Sequence, residues 1–304
     1  MLDKKFYTNR KFVAIIATLC CLLWGSSYPA IKNGYLLFNI ASNDIPSKFL
    51  FAGYRFIFAG LFLFIIAKIQ GKTVLNLSRR NTLNLFLLGI FQTTLQYIFF
   101  YIGLANTTGV KGSIMNSTVA FFSVILSHFI FANDRLTNKK IFGCIAGFVG
   151  VIIANINSDM LQFSFTFTGD GFVVIAALIF SIAAIYSKKL TESIDVMIIT
   201  GYSLFIGGFL LVLIGYILGG KVSNFTLTSS SILVYLALLS SIAFSLWNIL
   251  LKYNKVGPVS VYNFLTPIFG SILSSIFLNE TILEFKNIIA LILVCIGIWL
   301  VNKI

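Results

Sequence analysis

Apolar runs of about 20 residues recur along the chain between short polar connections, each long enough to cross the roughly 30 Å hydrocarbon core of a bilayer as a helix. The pattern predicts helices over residues 12–33, 48–67, 83–104, 108–131, 141–157, 171–187, 197–218, 231–251, 258–278 and 286–302. These runs are continuously apolar, whereas the strands of a membrane barrel alternate over about ten residues, so helices are favoured. The first run is too long for the apolar core of a secretory signal and lacks a small-residue cleavage pattern, so it reads as a span. The expected fold is an all-α integral membrane protein of ten transmembrane helices, with the lipid bilayer as its solvent.

Composition supports that solvent. Of the 304 residues 58% are hydrophobic and 10% charged, and mean hydropathy is +0.97. A soluble globule of this size would expose too much apolar surface. The formal charge of +13 does not indicate a nucleic-acid partner, because the basic residues are scattered singly and in pairs, with no stripe or aromatic-interleaved patch. Their distribution gives an orientation instead. With the N-terminus inside, Lys4, Lys5, Arg10, Lys11, Lys68, Lys72, Arg79, Arg80, Arg135, Lys139, Lys140, Lys188, Lys189, Lys252, Lys255 and Lys303 fall on the cytoplasmic side. Lys32, Lys48, Lys111, Lys221 and Lys286 fall on the other, and Arg55 is left within a helix. Short cytoplasmic connections collect Lys and Arg, so both termini are expected in the cytoplasm of a multi-pass plasma-membrane protein; the abundance of isoleucine, asparagine, lysine and phenylalanine suggests an AT-rich bacterial genome and hence a bacterial inner membrane.

The chain also repeats weakly. A shift of 148 sets Gly53-Tyr54 on Gly201-Tyr202 and Gly60 on Gly208, and a shift of 146 sets Asn133-Asp134 on Asn279-Glu280. Residues 1–157 and 158–304 then form two five-helix repeats. An odd number of spans inserts the second copy upside down. Inverted repeats are the architecture of secondary transporters, which bind cargo near the midplane between the copies.

Few side chains offer chemistry. Cys20, Cys21, Cys144 and Cys295 lie in apolar runs without metal-ligand spacing, and His128 lacks partners for a metal, so no disulfide, metal or cofactor is expected. An enzyme would need paired acids, a histidine cluster or a nucleophile with its base, and none is visible. All nine acidic residues fall in loops or at helix ends, leaving no carboxylate at mid-depth to relay protons or hold Na⁺; Glu280 and Glu284 sit at the outer face.

The candidate binding residues are the polar groups at mid-depth. Arg55 lies about 12 Å below the outer surface, where a charge normally faces a wet cavity or a partner; snorkelling outward is the competing reading. Pro29 cannot donate a backbone hydrogen bond, which frees the Gly25 carbonyl, so Gly25 and Ser26 read as cavity lining roughly 20 Å from the cytoplasmic face. Gln92 and Gln96 fall at about 14 and 20 Å, and Asn116 at about 18 Å, with interhelical hydrogen bonding as the alternative. In the second repeat Trp247 and Asn263 are retained from a group that includes Tyr186, Asn248 and Tyr262, with Pro267 freeing the Asn263 carbonyl. The glycines at 143, 147 and 150, and Gly112, Ser123 and Ser127, read as close helix packing.

Trp24-Gly25-Ser26-Ser27-Tyr28-Pro29-Ala30-Ile31-Lys32 resembles the first-helix signature of the EamA family of drug/metabolite transporters, and Arg55 after Pro46 resembles that family's second-helix arginine. Leu265-Thr266-Pro267-Ile268-Phe269, followed by Asn279-Glu280, resembles its repeat ending. The first copy departs by having Val119-Ala120-Phe121 where the family commonly has a proline, and Asp134 where it commonly has glutamate. The resemblance implies export of small metabolites such as amino acids by alternating access. Arg55 favours a carboxylate-bearing small-molecule substrate. Lipid-linked or nucleotide-sugar cargo, and a non-transport scaffold, are the alternatives, and monomer and homodimer both stay open.

Overall fold

The computed structural model describes residues 4–75, 77–107, 109–154, 165–277 and 285–303, and among them the chain forms helices and no strand. Glu280, Glu284 and the tail ends of the fifth and ninth predicted spans lie outside the described residues. Helix α1 covers Arg10–Leu37, started by Asn9, whose side chain accepts from the Lys11 and Phe12 amides. α2 covers Ile45–Ile69, capped by Asp44, and α3 covers Arg79–Ala105 with a wide turn at Ile90–Leu95. α4 is two pieces, Gly109–Asn116 and Thr118–Ile130, and α5 covers Asn138–Ala154. α6 covers Phe167–Leu190 and α7 covers Val196–Ile217, capped by Asp195. α8 covers Leu227–Tyr253 and opens on a reciprocal Thr226–Ser229 cap. α9 runs through Val256–Ser260, Val261–Phe264 and Leu265–Phe277, and α10 covers Phe285–Asn302. Such caps matter because the first amides of a helix have no partner within it.

Eight helices, α1 to α4 and α6 to α9, are long and apolar enough to cross a membrane. The protein is therefore a multi-pass membrane protein. α5 and α10 are shorter and pack along each other. Among the described residues helices lie at the predicted positions, with ends displaced by a few residues and with α4 and α9 broken into pieces.

Glycines set the closest approaches. A Cβ on Gly53 would lie 2.7 Å from the Gly208 carbonyl oxygen, and one on Gly60 would lie 2.7 Å from that of Gly201. α2 and α7 are thus antiparallel and in backbone contact, and only glycine permits that spacing. α5 and α10 do the same, with Gly143 against the Gly297 carbonyl at 2.7 Å and Gly150 against that of Ala290 at 2.8 Å. α1 packs against α8 and α9, and α6 packs against α3 and α4.

Two helices break where they line the interior. In α9 Pro267 cannot donate to the Asn263 carbonyl, and the chain passes through a tight 3₁₀ turn at Val261–Phe264 before resuming as an α-helix. α4 breaks at Ser117 without any proline. Ser117 Oγ donates to the Ile114 carbonyl at 2.6 Å and Thr118 Oγ1 to that of Met115 at 2.5 Å, side-chain bonds that compete with the helical ladder.

The end of the molecule that holds the termini is tightly closed. Asp134 in the α4–α5 connection and Lys140 on α5 are both buried and paired at 2.6 Å. The other Asp134 oxygen accepts the Gly257 amide of α9 at 2.8 Å. His128 Nδ1 accepts the Leu136 amide at 3.1 Å, a structural use for that side chain. Lys140, read from the sequence as a solvated loop cation, is in fact enclosed, because the carboxylate and the carbonyls of Asp134 and Arg135 satisfy its ammonium.

Candidate functional site

A cavity of about 310 Å³ opens among seven helices, at the low end of small-molecule sites. α1 supplies Trp24, Ser27, Tyr28, Ile31, Lys32 and Tyr35, and α3 supplies Gln96, Tyr97, Phe100, Tyr101 and Leu104, each set following three- and four-residue spacing that makes one stripe of a helix. α2 adds Lys48 and Arg55, and α4 adds Asn116 and Val119. From the other side come Phe180 of α6, Phe244 of α8, and Asn263 and Thr266 of α9. The lining uses the second half of α1 and the first half of α2, so the cavity occupies the end of the molecule away from the N-terminus.

Arg55 is 2% exposed, and its Nε donates to Ser240 Oγ of α8 at 2.7 Å. The guanidinium lies 5.0 Å from the Phe56 ring. No carboxylate pairs with it among the described residues. This side chain faces inward to the cavity and does not snorkel. Lys48 Nζ donates to the Ser42 carbonyl at 2.5 Å and sits 5.4 Å from the Tyr35 ring centre. Three cations and no acid thus stand among the described lining residues.

Two buried polar atoms in the same wall, Gln96 Oε1 and Asn263 Nδ2, have no hydrogen-bond partner among the described residues. An orphaned buried polar group costs about 1–3 kcal/mol unless a ligand or water meets it. Their convergence on one hollow, among eight aromatic rings from Trp24 to Phe244, describes a site for a small molecule with an apolar body and polar ends.

Of the residues selected from the sequence, Trp24, Arg55, Gln96, Asn116 and Asn263 meet at this cavity. Asn116 and Asn263 stand 147 residues apart, between the shifts of 146 and 148 that align the two halves of the sequence. Gly25, Ser26, Gln92 and Trp247 do not line it. A Cβ on Gly25 would fall 2.7 Å from Phe269 Cβ and 2.9 Å from the Gly270 amide, so α9 packs directly on α1 at this position. Ser26 Oγ donates to the Leu23 carbonyl at 2.8 Å and meets Tyr235 Oη at 2.7 Å, on the face toward α8. Gln92 is buried in the wide turn of α3, where Thr93 and Thr94 bond to the Ser203 and Gly207 carbonyls of α7. Trp247 backs the wall, its ring 5.1 Å from that of Trp24. Asn248 joins Ser187 and Thr200 in a buried network away from the cavity.

Lys32 and Lys48, assigned from the sequence to the outer ends of the first two spans, line the cavity. The polar stripe from Trp24 to Tyr35 was the available signal for Lys32. Tyr97 and Tyr101, one turn apart on α3, carry a similar signal.

A membrane-embedded bundle of apolar helices around a partly open, largely apolar hollow with a few polar groups suits a membrane transporter. The model of the EamA-like transporter family matches residues 11–156 and again residues 167–303, and the chain belongs to that family. An uncharacterized transporter of Archaeoglobus fulgidus is 26% identical over 277 residues, covering 88% of this chain and 89% of its own length. The uncharacterized transporter YoaV of Bacillus subtilis is 24% identical over 282 residues, covering 92% of each. A solved crystal structure superposes with a TM-score of 0.80 at 18% identity, covering 97% of this chain and 98% of its own, which is a likeness of fold.

Proposed function

We propose that this protein is a secondary transporter of small carboxylate-bearing metabolites such as amino acids, working by alternating access between two inverted five-helix repeats, residues 1–157 and 158–304. The observation that carries this reading is the buried guanidinium of Arg55, paired with no carboxylate among the described residues, at a hollow lined by both halves of the chain. In lipid such a charge needs a polar counterpart, and an anionic cargo supplies one.

The helix contacts support the inversion. Gly53 meets Gly208, which is the repeat mate of Gly60, and Gly60 meets Gly201, the repeat mate of Gly53. Exchanging α1–α5 with α6–α10 maps the pairs α1–α8 and α1–α9 onto α6–α3 and α6–α4, and returns α2–α7 and α5–α10 to themselves. Antiparallel partners related in this way imply a twofold axis across the helices, lying in the membrane plane. α5 and α10 then serve as the remaining two of ten spans. The excess of loop cations on one side favours both termini in the cytoplasm of a bacterial inner membrane, and export is the direction suggested by the family resemblance. A hollow of about 310 Å³ suits cargo of amino-acid size better than a nucleotide sugar. Trp24, Gln96, Asn116 and Asn263 contact the cargo.

Purified protein in liposomes, supplied with labelled amino acids and related carboxylates, tests this. Saturable movement of a carboxylate that Arg55→Gln removes is expected; movement of none, or equal movement by Arg55→Gln, would overturn it.

A further inference from the structure

The Arg55 guanidinium is held along one edge. Its Nε donates to Ser240 Oγ, and Ser240 Oγ donates its single hydrogen to the Leu236 carbonyl at 2.7 Å, so a lone pair is what faces Arg55. Ser240 is fully buried on α8 and is not part of the cavity wall. It reaches the hollow only through Arg55. With Nε committed and Phe56 against the guanidinium, the two terminal amino groups remain, a coplanar fork that matches the two oxygens of a carboxylate.

We propose that Ser240 is a positioning residue that sets the charge selectivity of the cavity, by holding Arg55 so that its terminal amino groups receive a carboxylate end-on. This rests on the reading of Arg55 as the cargo's anion partner. It also makes the site conditional on conformation. Ser240 belongs to the second repeat and Arg55 to the first, so the fork stays aimed only while α2 and α8 keep their present relation.

The test uses the full chain in liposomes with Val119→Cys, a small lining position, and a membrane-impermeant methanethiosulfonate reagent. Benzoate and benzamide share a shape and differ in charge, and each is titrated to find the concentration that halves the labelling rate. Ser240→Ala is expected to raise that concentration roughly tenfold for benzoate and leave benzamide unchanged, the effect of losing one hydrogen bond to a charged group. Ser240→Thr, which keeps the hydroxyl, restores benzoate protection, and an unchanged rate without ligand shows that the cavity is intact. Equal benzoate protection in Ser240→Ala and the parent, while Arg55→Gln loses it, overturns the role of Ser240. Protection that survives Arg55→Gln instead overturns the reading of Arg55 itself.

Discussion

Replacing Asp134 by alanine leaves the Lys140 ammonium buried without its carboxylate. The pair is 2.6 Å long, and both residues are about 1% exposed. The Gly257 amide loses its acceptor at the same time. Removing one partner of a buried ion pair costs about 3–5 kcal/mol, and the two carbonyls that remain on Lys140 place the loss toward the lower figure. At about 2 °C per kcal/mol for a chain of this size, the apparent Tm in detergent falls by roughly 6–10 °C. Lys140→Met in the same background removes the stranded charge and fills its volume, so the double variant is more stable than Asp134→Ala alone by about 1 kcal/mol or more. If the double variant melts at the sum of the two single losses, the two side chains do not act as a pair and the tie between the α4–α5 connection and α9 is not electrostatic.

Two further outcomes follow from the packing. Gly53→Ala puts a methyl 2.7 Å from the Gly208 carbonyl and should abolish most monodisperse protein on size exclusion. Gly71→Ala, at φ +71° with open space around it, should cost only about 1 kcal/mol; equal yields for both would contradict the α2–α7 contact. Of the four cysteines, Cys20, Cys21 and Cys144 are buried. N-ethylmaleimide should therefore leave these three thiols unlabelled in the folded protein, and fast loss of any of them would show that the packing around α1 and α5 is open.

Local signals carried most of the helix pattern, because a bilayer demands long apolar runs and satisfied backbones whatever the tertiary contacts. Arg55 was legible for the same reason: a charge in lipid announces its need for a partner. Gly25 and Ser26 lie outside the cavity wall because α9, about 240 residues away, packs on Gly25 and Tyr235 of α8 meets Ser26, and no local signal tells protein from water. Lys32 was hidden by an assumed helix end at 33; the helix continues to Leu37 and carries the lysine into the wall. The break in α4 coincides with hydroxyls at Ser117 and Thr118 rather than with a proline, the usual local signal for one. Asp134 and Lys140 look like solvated loop charges until the fold buries them against Gly257.

Val119→Cys on α4 offers the most direct test that the two repeats enclose a wet, cationic hollow. Impermeant methanethiosulfonate reagents applied to sealed liposomes should label this position, the anionic sulfonate reagent reacting roughly tenfold faster than the trimethylammonium one, the ratio given by about 1.4 kcal/mol of Coulomb preference. Arg55→Gln should shrink that ratio. No reaction with either reagent, from either side of the membrane, would contradict the cavity, and equal rates for the two would contradict its charge.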